Sequence, residues 1–153
     1  MTGDKENMRL AIFEALKAYD EGEVPIGAVL VDENGILICA EHNRIEQLND
    51  ATAHAEILTL RSASKKLKRR CLKNFTLYVT VEPCPMCAGA LVLSRVKRLV
   101  YGAVDSKFGA AESLFNVVNN SAVNHRMEVT AGVLEEECRE LIQKFFSEQR
   151  NCY

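Results

Sequence analysis

Two short segments of this chain hold residue types that could do chemistry together: His54-Ala55-Glu56 and Pro83-Cys84-Pro85-Met86-Cys87. Thiolate sulfur and imidazole nitrogen select zinc over magnesium or calcium, which prefer oxygen ligands. One histidine and two cysteines fill three tetrahedral positions and leave the fourth open, as catalytic zinc sites do. No second Cys-x-x-Cys or His-x-x-His is present to close the shell. A water in the open position has its pKa lowered from about 15.7 to about 7, which raises the hydroxide fraction at neutral pH by roughly eight to nine decades. Glu56 stands beside the ligands without needing to be one. It can take the water's proton and pass it to a substrate nitrogen, work typically worth about 10²–10⁴ in rate.

Taken singly, these residues have plainer readings. An isolated Cys-x-x-Cys serves equally well as half of a structural zinc site or as a redox pair. A lone histidine is more often a core or surface residue than a ligand, and a first-turn glutamate suits the positive end of a helix dipole. The order and separation of the two segments favour the catalytic reading. That reading requires each segment to fall at a helix start. Side chains tilt toward the helix N-terminus, so His54 and Glu56 in a first turn both reach a point beyond the helix end. Cys84 and Cys87, three apart, share a face. Two parallel strands that deliver these helix starts side by side would converge all four groups, where the dipoles also favour thiolate.

The rest of the chain supplies such elements. Met8, Ile12, Ala15, Leu16 and Tyr19 recur at helical spacing and predict a helix over roughly residues 5–20. The apolar runs Ile26–Val31 and Ile36–Ala40 flank Asp32-Glu33-Asn34-Gly35, a hairpin signal. Thr52 is placed to cap a helix running to about Leu67. Leu77–Val81 and Val96–Val104 read as strands, with a helix from Pro83 to about Ser94 between them. A short helix near Glu112–Val118 and a strand near Met127–Val133 follow. Leu134, Cys138, Leu141, Ile142, Phe145 and Phe146 then mark one apolar face of a C-terminal helix. Strands alternating with helices after the hairpin predict an α/β fold with a mostly parallel or mixed sheet covered on both sides.

The 153 residues suffice for one domain, 1–153, and its 48% apolar and 26% charged composition predicts a packed core. A net charge of -2 and a pI near 6.0 argue against a wholesale basic polyanion binder but leave room for a local basic patch. Met1 to Met8 contain no secretory apolar segment, and no apolar run approaches the roughly 20 residues that cross a bilayer. The expectation is therefore no membrane association. Cys39, Cys71, Cys84, Cys87, Cys138 and Cys152 are then better explained by metal binding or burial than by disulfides, which points to a reducing, cytoplasmic setting.

The pattern His-x-Glu…Pro-Cys-x-x-Cys is the known signature of zinc nucleobase deaminases, and His54, Glu56, Pro83, Cys84 and Cys87 match it. More specifically, the chain resembles the bacterial tRNA-specific adenosine deaminases of the cytidine deaminase-like superfamily. The resemblance runs from Gly22-Glu23-Val24-Pro25-Ile26-Gly27-Ala28-Val29 through Thr52-Ala53-His54-Ala55-Glu56 and the block Leu77 to Ala90, as far as Phe145-Phe146. Tyr101-Gly102-Ala103, Asp105, Lys107, Ser113-Leu114 and Asn124-His125-Arg126 set it apart from relatives that act on free bases. The resemblance implies a three-layer α/β/α fold with a central mixed five-stranded sheet. It implies one zinc per subunit, and hydrolytic deamination of the wobble adenosine of an arginine tRNA to inosine. It further implies a homodimer whose second subunit helps hold the anticodon stem-loop.

By position, the resemblance assigns Asn43 to hydrogen bonding with the flipped adenine, and Val24, Pro25 and Phe146 to the apolar wall around it. It assigns Asp105 and Lys107 to the sugar–phosphate, and the backbone around Ala55, Pro83 and Cys84 to the reacting centre. Plainer readings stand beside these: Asn43 can simply end a strand, Phe145 and Phe146 can both be core, and Asp105 and Lys107 can be ordinary loop charges. Ala51 stands where the family commonly has proline, and Glu112 where it has glycine. Pro85 stands where many members have another apolar residue. Guanine deaminases share Pro-Cys-Pro-Met-Cys, so a free-nucleobase deaminase acting on guanine or cytosine is the alternative. Finally, Lys65-Lys66-Leu67-Lys68-Arg69-Arg70-Cys71-Leu72-Lys73 is a dense basic run. It reads equally as a phosphate contact or as a solvated helix end.

Overall fold

The apolar runs expected to be strands pair into one sheet that organises the molecule. A computed structural model describes residues 2–122 and 125–150, so Asn124 and Cys152 lie outside the described residues. In chain order the elements are α1 (Thr2–Asp20), β1 (Gly27–Val31), β2 (Leu37–His42), α2 (Ile45–Leu48), α3 (Ala55–Leu67), β3 (Thr76–Val81), α4 (Pro85–Leu93), β4 (Arg98–Ala103), β5 (Glu128–Thr130) and α5 (Glu135–Arg150). The strands form one five-stranded sheet in the order β2-β1-β3-β4-β5. β1 pairs antiparallel with β2 and β3, whereas β3, β4 and β5 run parallel. The sheet is therefore mixed, as expected.

Side chains alternate across a strand with period two. Ala28, Leu30, Leu77, Val79, Leu99 and Tyr101 join one core cluster, with Leu60 and Ala63 of α3 and Ala88 and Leu91 of α4. The intervening Val29, Val31, Tyr78 and Val100 join a second, with Met8 and Ala11 of α1 and Cys138 of α5. Helices thus cover both faces and the layers are α/β/α. Gly27 lets α1 pack close against the sheet: a Cβ there would sit 2.5 Å from the Ala15 nitrogen.

Three expectations need correction. Residues 112–118 form turns rather than a helix, because the chain wraps around a buried carboxylate described below. Thr52 caps nothing on α3: it lies two residues before the N-cap, His54, and its hydroxyl bonds Asp50 Oδ1 at 2.7 Å. The last strand is three residues long rather than seven, and α2 was not anticipated. The hairpin turn behaves as read: Asp32 Oδ1 accepts the N–H groups of Asn34 and Ile36 at 2.9 Å, and Gly35 takes φ +79°.

Topology gathers distant segments at one end of the sheet. β3 and β4 are parallel, so their C-terminal ends, and the segments that follow at 82–87 and 104–109, lie side by side. β1 is antiparallel to β3, which puts residues 24–27 at that end, and β2 is antiparallel to β1, which puts His42 and Asn43 there too. The carboxyl end of open α/β sheets is where ligands usually bind.

Candidate active site

His54 and Cys84 occupy the N-cap positions of α3 and α4, with extended backbone (φ −73°, ψ 151° and φ −72°, ψ 171°). Serine, threonine, aspartate or asparagine normally stands there and caps the helix. Neither His54 nor Cys84 makes a side-chain cap bond, which leaves imidazole and thiol for other work. Asn43, buried at the end of β2, compensates from outside: its Oδ1 accepts the Ala55 N–H at 2.8 Å. Pro85 fills the first position of α4, where a missing N–H costs nothing and the fixed φ suits the helix.

The expected ligands meet. His54 Nδ1 lies 3.6 Å from Cys84 Sγ and 3.5 Å from Cys87 Sγ, and the three ligand atoms are all within 4.8 Å of one another. They are the group of His, Cys, Asp and Glu among the described residues that could hold a metal ion. Their protonation fits that use. The Cys84 thiol is pulled down to about 4, first by its hydrogen bond with Cys87 and also by His54. Cys87 is pushed up as the donor of the pair, and the His54 imidazole is raised by its bond to Cys84. A cation held by the three would replace the shared protons.

Glu56 is buried beside this cluster, and its Oε1 has no hydrogen-bond partner among the described residues. Burial pushes its carboxyl up to about 7. A buried, unsatisfied carboxylate oxygen costs stability, so its presence next to three metal-type ligands indicates a site built for a reactant.

The other expected residues divide. Val24, Asp105, Lys107 and Phe146 line one cavity of about 540 Å³ together with Ile26, Val81, Ala103 and Arg139. Phe145 turns inward against Tyr19, whereas Phe146 is 42% exposed, so the adjacent rings split between core and cavity. Pro25 and Pro83 are buried. The Pro83 carbonyl accepts the Ala110 N–H at 2.8 Å, and the Ala55 N–H is committed to Asn43. Asp105 turns onto its own loop: Oδ1 accepts the N–H groups of Lys107 and Phe108 at 3.1 Å.

Three buried carboxylate and imidazole groups escaped the sequence reading. Glu82 accepts the N–H of Asp105 at 3.1 Å, of Ala111 at 3.1 Å, and of Glu112 and Ser113 at 2.9 Å, as well as the Ser113 hydroxyl. Burial alone would raise its pKa, but these donors hold it below the usual carboxylate range. Glu23 accepts the Glu46 and Gln47 N–H groups at 3.0 and 2.8 Å and so fixes α2. His42 is clamped between Glu14 (2.9 Å) and Glu21 (2.8 Å). A charge at the edge of an apolar run was the available signal for Glu82 and Glu23. His42 offered none, since its partners lie 28 and 21 residues away.

A three-layer sheet with a His/Cys/Cys group and a buried glutamate at paired helix starts defines a deaminase fold with a site able to bind metal. A family model for MafB19-like deaminases matches residues 2–150. The chain is 51% identical to the tRNA-specific adenosine deaminase of Bacillus subtilis, over 98% of this chain and 92% of that one. It is 48% identical to that of Haemophilus influenzae, over 96% and 85%. A solved structure from work on A-to-I editing by tRNA:A34 deaminases superposes with a TM-score of 0.85 at 45% identity, covering 89% of this chain and 98% of that one. A guanine deaminase from Nitrosomonas europaea superposes at 0.81 with 26% identity, over 94% and 84%. This chain belongs to the tRNA-specific adenosine deaminase family.

Proposed function

We propose that this chain hydrolyses the wobble adenosine of a tRNA anticodon to inosine, using one zinc ion per subunit held by His54, Cys84 and Cys87. The observation that carries the reading is the convergence of those ligands with the orphaned Glu56 oxygen, in a chain half identical to tRNA-specific adenosine deaminases. The ligand spacing suits zinc. Bonds of about 2.0–2.1 Å to nitrogen and 2.3 Å to sulfur at a tetrahedral angle put N and S about 3.5–3.6 Å apart, against the 3.5 and 3.6 Å found. When bound, zinc supplies the Lewis acidity that makes a water nucleophilic at neutral pH.

The chain's own groups do the rest. Water adds at C6 of adenine as Glu56 takes its proton and returns it to N1. Glu56 then takes the proton of the new C6 hydroxyl and passes it to N6, and as the C6 carbonyl forms the C6–N6 bond breaks and N6 leaves as ammonia. A carboxyl raised toward neutrality suits a group that both accepts and donates. Asn43, whose carbonyl holds Ala55, presents its amide –NH2 to an acceptor on the base. Val24, Pro25 and Phe146 form the apolar wall, Ala55 and Pro83 the buried floor, and Asp105 and Lys107 meet the sugar–phosphate. An anticodon loop offers its base at little unpairing cost, about a few kcal/mol.

Two further parts belong to the reading. The first is a homodimer, supported by Leu93, an apolar side chain 84% exposed on α4, and measurable by light scattering. The second is a cytoplasmic setting, supported by free thiols at Cys39, Cys71, Cys84, Cys87 and Cys138. Among the described residues no helix is long and apolar enough to cross a membrane.

The decisive experiment incubates the protein with an arginine tRNA bearing a wobble adenosine, sequences the product and measures zinc. Inosine at that position is expected. Persistent adenosine, with ammonia released from free guanine or cytosine instead, overturns the reading. Pro85 gives that alternative little support, because its place at the start of α4 explains it.

A further inference from the structure

A net charge of -2 conceals a strong segregation. Residues 57–104 carry ten lysines and arginines and a single acid, Glu82, whereas the rest of the chain carries nine against twenty. The fold concentrates this surplus at one corner. The C-terminal end of α3 and the loop after it meet the segment between α4 and β4: Leu72 N–H donates to Ser94 O at 2.7 Å, and Lys97 N–H to Phe75 O at 3.1 Å. Leu72 and Phe75 plug into the core and turn the intervening polar residues outward. Lys65, Lys68, Arg69, Arg70, Lys73 and Lys97 are all exposed. None of the six has a carboxylate within ion-pair distance among the described residues, whose ion pairs lie elsewhere.

The helix dipole accounts for only part of this. It favours cations in the last turn of α3 and fades beyond it, so it covers Lys65 and Lys66 but not Arg69, Arg70, Lys73 or Lys97. Six like charges held close, without counter-charges, repel one another. A fold that assembles them in one corner is suited to a polyanion.

We infer that this basic corner is a second RNA-contact surface, which grips the phosphate backbone of the tRNA away from the reacting base. The inference rests on the tRNA reading above and extends it. The corner lies at the opposite end of α3 from His54, about 20 Å off for a helix of 13 residues. In this proposal the body of a folded tRNA, beyond its anticodon stem-loop, lies on this corner. Contacts of this kind carry affinity and register and no sequence information.

The test uses the variant Lys65→Gln/Arg70→Gln/Lys73→Gln. It spares Lys68, which holds the αL position ending α3, and Arg69, which stacks over Phe75. Binding of full-length tRNA and of the anticodon stem-loop is titrated between about 50 and 200 mM salt. Losing three phosphate contacts lowers the slope of log K against log salt for full-length tRNA by roughly two to three. Its Kd at the low-salt end should rise at least about tenfold, by the same counterion accounting. Stem-loop affinity, zinc content and kcat at saturation should stay as in the parent. An unchanged slope and Kd for full-length tRNA refute the second surface. So does a variant that loses binding only to anionic lipid vesicles. Failure of the parent protein itself to bind and edit tRNA would instead refute the underlying reading, so the two failures are distinguishable.

Discussion

Replacing Glu82 by glutamine tests whether one carboxylate builds the loop beside the active site. The wild-type side chain takes four N–H donors and one hydroxyl from residues 105–113. Glutamine keeps the shape but has one acceptor oxygen. With that oxygen turned to Ala111, Glu112 and Ser113, its –NH2 faces the Asp105 N–H and the Ser113 hydroxyl. The hydroxyl can reverse and accept, but the Asp105 N–H is left facing another donor, and the other bonds lose their charge assistance. An unsatisfied buried donor costs about 1–3 kcal/mol, and bonds to charged groups are worth about 1.5–3 against about 1 for neutral ones. A net loss of about 2–4 kcal/mol follows, or roughly 4–16 °C in Tm for a chain of this size.

The pH dependence fixes the sign of the same argument. The Glu82 pKa is lowered in the folded state, so between the folded and unfolded values the unfolded chain binds the extra proton. The stabilisation is complete above the unfolded carboxylate pKa, about 4.3, and is lost as pH falls through the folded value. The glutamine variant should lack that component and show a flatter acid limb. Thermal unfolding from neutral to acid pH, with hydrogen exchange read at the amides of 111–113, measures both effects. A Tm unchanged at neutral pH, with those amides as protected as in the parent, would sink the assignment of Glu82 as the loop's anchor.

Four further outcomes are expected. Glu56→Gln should keep its zinc and lose turnover by at least about 10²–10⁴, read by metal analysis and single-turnover deamination. Cys87→Ser should lose most of its zinc, and added zinc should not restore the parent rate, because one thiolate of a three-ligand set is gone. Gly109→Ala should cost about 1–3 kcal/mol in chemical denaturation, since the added Cβ falls 2.5 Å from Asp105 O and against the Glu82 carboxyl. His42→Asn should destabilise by about 1.5–3 kcal/mol through the loss of its bonds to Glu14 and Glu21, with zinc content intact.

How much of this was legible in the sequence depends on the range of the forces involved. The His/Cys/Cys group that could hold a metal was legible because its chemistry is local: three donors in two segments of three to five residues, each at a helix start. The layered sheet was legible because the apolar runs Ala28 to Val31 and Leu77 to Val79 are properties of consecutive residues, and runs that alternate with helical segments suit strands buried on both faces. What escaped is what one element does for another. Thr52 has good capping chemistry, yet His54 ends up as the N-cap, and the Ala55 N–H is satisfied by Asn43 from twelve residues away. Residues 112–118 have a helical pattern, yet Glu82 gathers the amides of 111–113 from about 30 residues upstream, and the following N–H groups of Leu114 and Phe115 go to Gly109 O and that of Val117 to Ala110 O, so the four-residue ladder of a helix is not made. The same logic separates the two candidate RNA surfaces. Asp105 and Lys107 sit on a loop whose shape Glu82 dictates, so their placement is a tertiary result and invisible in the run itself. Lys68, Arg69 and Arg70 lie between Leu67 and Leu72, and Lys73 between Leu72 and Phe75, all three anchors packed in or against the core, so burial fixes the positions of these charges without neutralising them.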